Sequence, residues 1–116
     1  MSRDASIILE WADGSYIFRL RQGELIQLQE YADAGPMWVL NRMMNPTPEN
    51  KGWRVQDISH VIRLGLIGGG MEPGKALRLT KDYVDTRPPV ENLLFAQAIL
   101  AAGLMGIAIA NLSNDG

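Results

Sequence analysis

The sequence predicts a mainly α domain, with an N-terminal two-stranded β-hairpin packed on about five helices and an apolar C-terminal helix at the centre. Three observations carry that expectation. One strong hairpin signal, Asp13-Gly14, separates two alternating runs near the N-terminus. From Gly23 onward, apolar residues recur with helical rather than strand period. Between Leu93 and Ala110, only Gln97 is polar, as expected of a helix buried on all sides. A chain of 116 residues is long enough to bury a core as one domain. That domain is expected over 1–116, with the hairpin at about 6–21 and the helical part at about 22–111.

The elements follow in order. In "SIILEWADGSYIFRL", Ile7, Leu9 and Trp11 alternate with Ile8 and Glu10, and Tyr16, Phe18 and Leu20 alternate with Ile17 and Arg19. A lone hairpin is marginal in water, so one of its faces must lie on helices. Leu25, Leu28 and Ala32, with Ile26 beside them, form the apolar face of a first helix. Gly35-Pro36 ends it and starts a second, because proline suits the first helical position. Met37, Leu40, Met43 and Met44 are read as the stripe of that second helix, and "NPTPENKG" as the loop after it. A third helix starts near Val55 with Ile58, Val61, Ile62, Gly65 and Leu66, and ends at Gly68-Gly69-Gly70 in a left-handed cap. Pro73 opens a fourth helix, with seams Ala76/Leu79/Tyr83 and Leu77/Thr80/Val84, which Arg87-Pro88-Pro89 terminates. The fifth is expected from near Pro89 to about Asn111.

Composition narrows the function classes. The net charge is -2 and no basic run exists, which argues against nucleic acid as a partner. With no cysteine, disulfides, thiol catalysis and a zinc ribbon are excluded. The opening "MSRDASIILEWADG" is too polar and its apolar run too short for a signal peptide, which points to the cytoplasm.

"GGMEPGKA" meets the phosphate-loop pattern at Gly69, Gly74 and Lys75 and breaks it at Ala76, which cannot ligate magnesium. The preceding segment has helical period, and Pro73 removes a backbone donor inside the would-be loop. A helix-to-helix corner, with Glu72 beside the positive end of the next helix, explains each residue better. His60, the only histidine, has no ligand cluster around it and reads as a surface or half-buried helix residue. Asp82 and Asp85 are expected to pair locally with Arg87. Trp53 is expected to tie down the preceding loop. No catalytic, cofactor-binding or metal-binding constellation emerges, and no enzyme activity is expected.

Two features are candidates for a partner surface. Met37, Met43 and Met44 near Trp38 form an adaptable cluster, against the alternative of simple core filling. Ala98, Ala102 and Gly106, with Ala110, repeat at every fourth position in the last helix. That stripe suits a central core helix, a self-association or partner-binding face, or a membrane span. Acidic flanking residues, and the absence of Lys or Arg after it, weigh against the membrane.

Three stretches together resemble a small tail protein family of gene transfer agents and related prophages. They are "LEWADGSYIFRLRQGELIQLQEYADAGP", "WRVQDISHVIRLGLIGGGMEPGKALRLTKDYVD" and "RPPVENLLFAQAILAAGLMG", covering roughly Ile8 to Gly106. The chain departs from the family pattern at "NPTPENKG". The resemblance implies a tail assembly chaperone made in the host cytoplasm. Its partner would be the tape-measure protein, and the tail tube protein is a further candidate; homo-oligomerisation stays open. Such a chaperone would be absent from the mature particle and need no cofactor. The family is also labelled a tail tube component, so the alternative is a structural subunit retained in the particle.

Overall fold

A computed structural model describes residues 4–106. Strands β1 (Ile7–Trp11) and β2 (Gly14–Phe18) pair antiparallel, with Ile7 opposite Phe18 and Trp11 opposite Gly14. Helices α1 (Gln22–Ala32), α2 (Pro36–Met44), α3 (Val55–Gly68), α4 (Pro73–Thr80) and α5 (Leu93–Met105) follow. A π-helical turn, Lys81–Asp85, extends α4, and a 3-10 turn, Pro89–Asn92, leads into α5. The fold is thus the mainly α domain with an N-terminal hairpin that the sequence predicts.

The hairpin turn differs from the expected one. Its central residues are Ala12 and Asp13, and Gly14 belongs to the ladder opposite Trp11. Ala12 holds the left-handed conformation at φ 57°, which costs a residue with a Cβ about 1–2 kcal/mol. Ala12→Gly should therefore raise stability by roughly 0.5–1 kcal/mol, measured by urea unfolding, because relieved strain exceeds the added chain entropy.

The inner face of the hairpin carries Leu9, Trp11 and Phe18 into the core. Trp11 meets Phe18 and Tyr83 edge-on, with centroids 5.8 and 5.9 Å apart. Its indole N–H donates to Asn92 Oδ1 at 2.7 Å, while Asn92 Nδ2 donates to the Tyr83 carbonyl at 2.9 Å. One buried amide thus joins hairpin, π turn and the entry to α5, satisfying polar groups that burial would otherwise penalise.

Helix α3 is buried on most sides through Ile58, Val61, Ile62, Leu64 and Leu66, and it shares the centre with α5. Its C-terminal glycines are explained by close approach more than by capping. A Cβ on Gly68 would stand 1.8 Å from the Arg19 carbonyl oxygen, and one on Gly69 would stand 2.1 Å from that of Ile17. Only bare backbone lets β2 lie there, and the Arg19 N–H completes the contact with the Gly65 carbonyl at 2.9 Å. The cap residue Gly69 is right-handed, and the left-handed residue is Gly70 at φ 112°.

In α5, seven consecutive residues from Ala96 to Ala102 are buried, including Gln97, whose Nε2 donates to the Met43 carbonyl at 2.9 Å. The helix ends at Met105, earlier than expected, because Gly106 turns left-handed at φ 66° and its N–H closes on the Ala102 carbonyl. The expected continuation over 107–111 lies outside the described residues. The loop after α2 is tied by Asn50, which accepts from Thr47 N and Gly52 N and donates to the Asn45 carbonyl. Trp53 packs partly buried against the core, as expected.

Candidate functional site

Pro36 at the first position sets where α2 begins, and neighbouring helices select which face they cover. Val39, Leu40, Arg42 and Met43 turn inward, so of the Met37/Leu40/Met43/Met44 stripe expected from the sequence only Leu40 and Met43 face the core. Met37, Trp38 and Met44 stay 56%, 47% and 51% exposed. With the exposed Asn41 they share the outward face, at spacings of one, four and seven residues. No charged side chain belongs to that face, since Arg42 points into the core. Methionine and tryptophan in such a setting make an adaptable apolar surface.

Arg42 fixes the orientation of this face. Its Nε and Nη2 donate to Asp57 Oδ2 and Oδ1 at 2.8 and 2.7 Å, and both side chains are almost wholly buried. Asp57 Oδ2 also accepts the Arg54 N–H at 2.8 Å, so one carboxylate opens α3 and holds α2. Sequence reasoning missed this pair. Its signal was an acidic residue three positions after the helix boundary, ahead of an apolar run.

The other candidate residues lie elsewhere. Met43, Ala98 and Ala102 are buried in the core, where the small side chains let α5 pack closely, so they form no part of an exposed surface. Gly106 is the partly exposed cap of α5. Thus the structure brings together only Met37, Trp38 and Met44 of the residues proposed from sequence. Among the described residues, no helix is long and apolar enough to cross a membrane.

The corner at "GGMEPGKA" is built as a helix junction. The Glu72 carboxylate accepts from Gly74 N and Lys75 N, both at 3.0 Å, and so occupies the N-terminus of α4 where a phosphate would have to bind. These two N–H groups hold the Glu72 carboxyl below its ordinary range, and the Arg21 guanidinium does the same for Glu24. His60 is half-buried, stacked on Tyr31 with centroids 4.8 Å apart. Burial first, then the Arg63 charge, lowers its pKa from the ordinary 6.5. Arg87 lies over the Tyr83 ring at 5.0 Å, and among the described residues forms no ion pair with Asp82 or Asp85, contrary to the sequence expectation.

These shifts share one sign. A histidine whose folded pKa is lowered takes up its proton more readily when unfolded, so stability falls as pH drops below about 6.5. The two glutamates add stability above about 4.5 that is lost on further acidification. The melting temperature should therefore decline in two stages from pH 7.5 to 3.5. His60→Asn should flatten the upper stage, and Glu72→Gln should lower the neutral-pH value while converging with the parent in acid.

A model of the family described as "Phage tail tube protein, GTA-gp10" matches residues 4–106. No curated protein and no solved structure matches the chain. The match agrees with the gene transfer agent and phage tail side of the resemblance, but its description is a tube protein and not an assembly chaperone. From the hairpin through α5, the chain belongs to the phage tail tube protein family GTA-gp10.

Proposed function

We propose that this tail protein acts during assembly, as a chaperone that binds the tape-measure protein through the outer face of α2 and keeps it soluble while the tube polymerises. The observation that carries this reading is the closed outer edge of β2. A tube wall made of continuous β-sheet requires each subunit to pair at both edges of its sheet. Here α3 lies against one edge, and among the described residues the sheet has only two strands. The uncharged Met37/Trp38/Met44 face suits an amphipathic helix laid against it. Such a role needs no nucleotide, metal or covalent chemistry, and places the chain in the host cytoplasm and outside the finished particle.

The family description favours a second reading, a structural component retained in the tail tube. Relatedness supports that reading more directly than it supports the chaperone. Co-expression with the tape-measure gene, followed by mass spectrometry of purified particles, separates the two. A chaperone makes the tape-measure protein soluble, co-purifies with it, and is missing from particles. A tube component is present at many copies per particle and rescues nothing. Within the first outcome, Trp38→Ser should weaken co-purification more than about tenfold, since a central aromatic anchor carries a large share of binding energy.

A further inference from the structure

The two edges of the hairpin are treated differently by the rest of the fold. The ladder closes on the two-residue turn at Trp11 and Gly14. The pairs Trp11/Gly14, Leu9/Tyr16 and Ile7/Phe18 therefore exchange the inter-strand hydrogen bonds, while residues between them direct N–H and C=O away from the partner strand. On β2 the outward groups meet α3, through the Gly65 carbonyl and the bare backbone of Gly68 and Gly69. On β1 the outward groups of Ile8 and Glu10 have no hydrogen-bond partner among the described residues. Ile8 is also the most exposed large hydrophobic described, at 68%. No Lys, Pro or bulge interrupts β1, although such devices normally protect an open edge.

We propose that the outer edge of β1 is a docking site for an extended segment of another protein, which adds as a third strand with an apolar residue beside Ile8 and a basic residue beside Glu10. Four backbone groups, two donors and two acceptors at strand spacing, match the complementary groups of another extended chain. Charge decides against a second copy as the occupant. Residues 5–18 contain Glu10 and Asp13 and no Lys or Arg. A second copy would bring the same Glu10 and, within its own β1, no cation. Pairing Ile8 with Ile8 leaves each carboxylate beside Ser6, pairing Ile8 with Glu10 leaves each beside an isoleucine, and pairing Glu10 with Glu10 opposes like charges. None of these registers sets a cation beside Glu10, and a basic strand does. Because β2 is closed, the sheet accepts one strand and stops.

Amide-resolved NMR tests this with a blocked eight-residue peptide, Thr-Val-Thr-Lys-Thr-Val-Thr-Lys, whose valines and lysines share one face two residues apart. In the free chain, the Ile8 and Glu10 amides should exchange rapidly while those of Leu9 and Trp11 are protected. Added peptide should shift the Ile8 and Glu10 amides saturably, and a version N-methylated along its bonding edge should not. Ile8→Pro removes an outward donor without touching the β1–β2 ladder. It should keep the melting transition and weaken binding roughly five- to tenfold. Glu10→Lys should transfer the preference to the same peptide with glutamate in place of each lysine. The proposal is overturned if no saturable shift occurs at these amides, or if the N-methylated peptide binds equally. A concentration-dependent dimer broken by Ile8→Pro would also overturn it, making a second copy the occupant.

Discussion

Gly68→Ala should destabilise the domain by about 3 kcal/mol or more, at the upper end of what an added methyl group costs in a packed interior. The new Cβ would sit 1.8 Å from the Arg19 carbonyl oxygen and 2.9 Å from Glu24 Oε1. Neither neighbour can withdraw cheaply. Arg19 is pinned by its N–H on the Gly65 carbonyl, and Glu24 is held by Arg21 N and Nε, both at 2.9 Å. At roughly 4–8 °C per kcal/mol for a domain near this size, the melting temperature should fall by more than about 10 °C. Gly23→Ala is the matched control, because nothing lies within 4 Å of its Cβ and alanine is the better helix former. Circular dichroism melts that leave Gly68→Ala beside the parent would show that the hairpin is not seated backbone-to-backbone on α3.

Arg42→Met should cost about 3–5 kcal/mol, because it leaves the Asp57 carboxylate buried with only the Arg54 N–H for company. Asp57→Leu strands the guanidinium in the same way and also removes a helix-start hydrogen bond worth about 1 kcal/mol. The double variant should be far less unstable than the sum of the two, since a buried pair replaced by apolar groups leaves no uncompensated charge. Urea unfolding of the four-member cycle measures the coupling. Additive losses would mean that the two side chains act independently. Release of α2 should follow in the single variants, so tape-measure co-purification should fall along with stability if α2 carries the docking face.

Much of the architecture is legible in the sequence because the strongest signals are local. The hairpin pattern, the Gly35-Pro36 junction and the period of α3 each fix an element without knowledge of its neighbours. What needed the structure is long-range. Six of the nine residues of α2 are apolar, so its sequence fits two opposite faces, and the Arg42–Asp57 pair decides between them. Helix α5 is apolar all round, which leaves its exposed side unreadable; Ala98 and Ala102 prove to be packing positions. The glycines of "LGLIGGG" read as a chain terminator, yet Gly65, Gly68 and Gly69 matter for the strand laid across them. Turn placement failed by one residue because Ala12, and not a glycine, occupies the left-handed position.

The three tryptophans occupy three solvent regimes, and this gives the protein built-in optical reporters. Trp11 is sealed in the core with its N–H on Asn92, Trp53 is half-covered against the core, and Trp38 stands on the open face of α2. Iodide should therefore quench Trp38 strongly and Trp11 hardly at all. A helix arriving on α2 should blue-shift and shield Trp38 while the Trp11 emission stays fixed. A strand arriving on β1 should leave Trp38 as accessible as before. A single fluorescence titration can then say which side of the molecule a tail partner has touched.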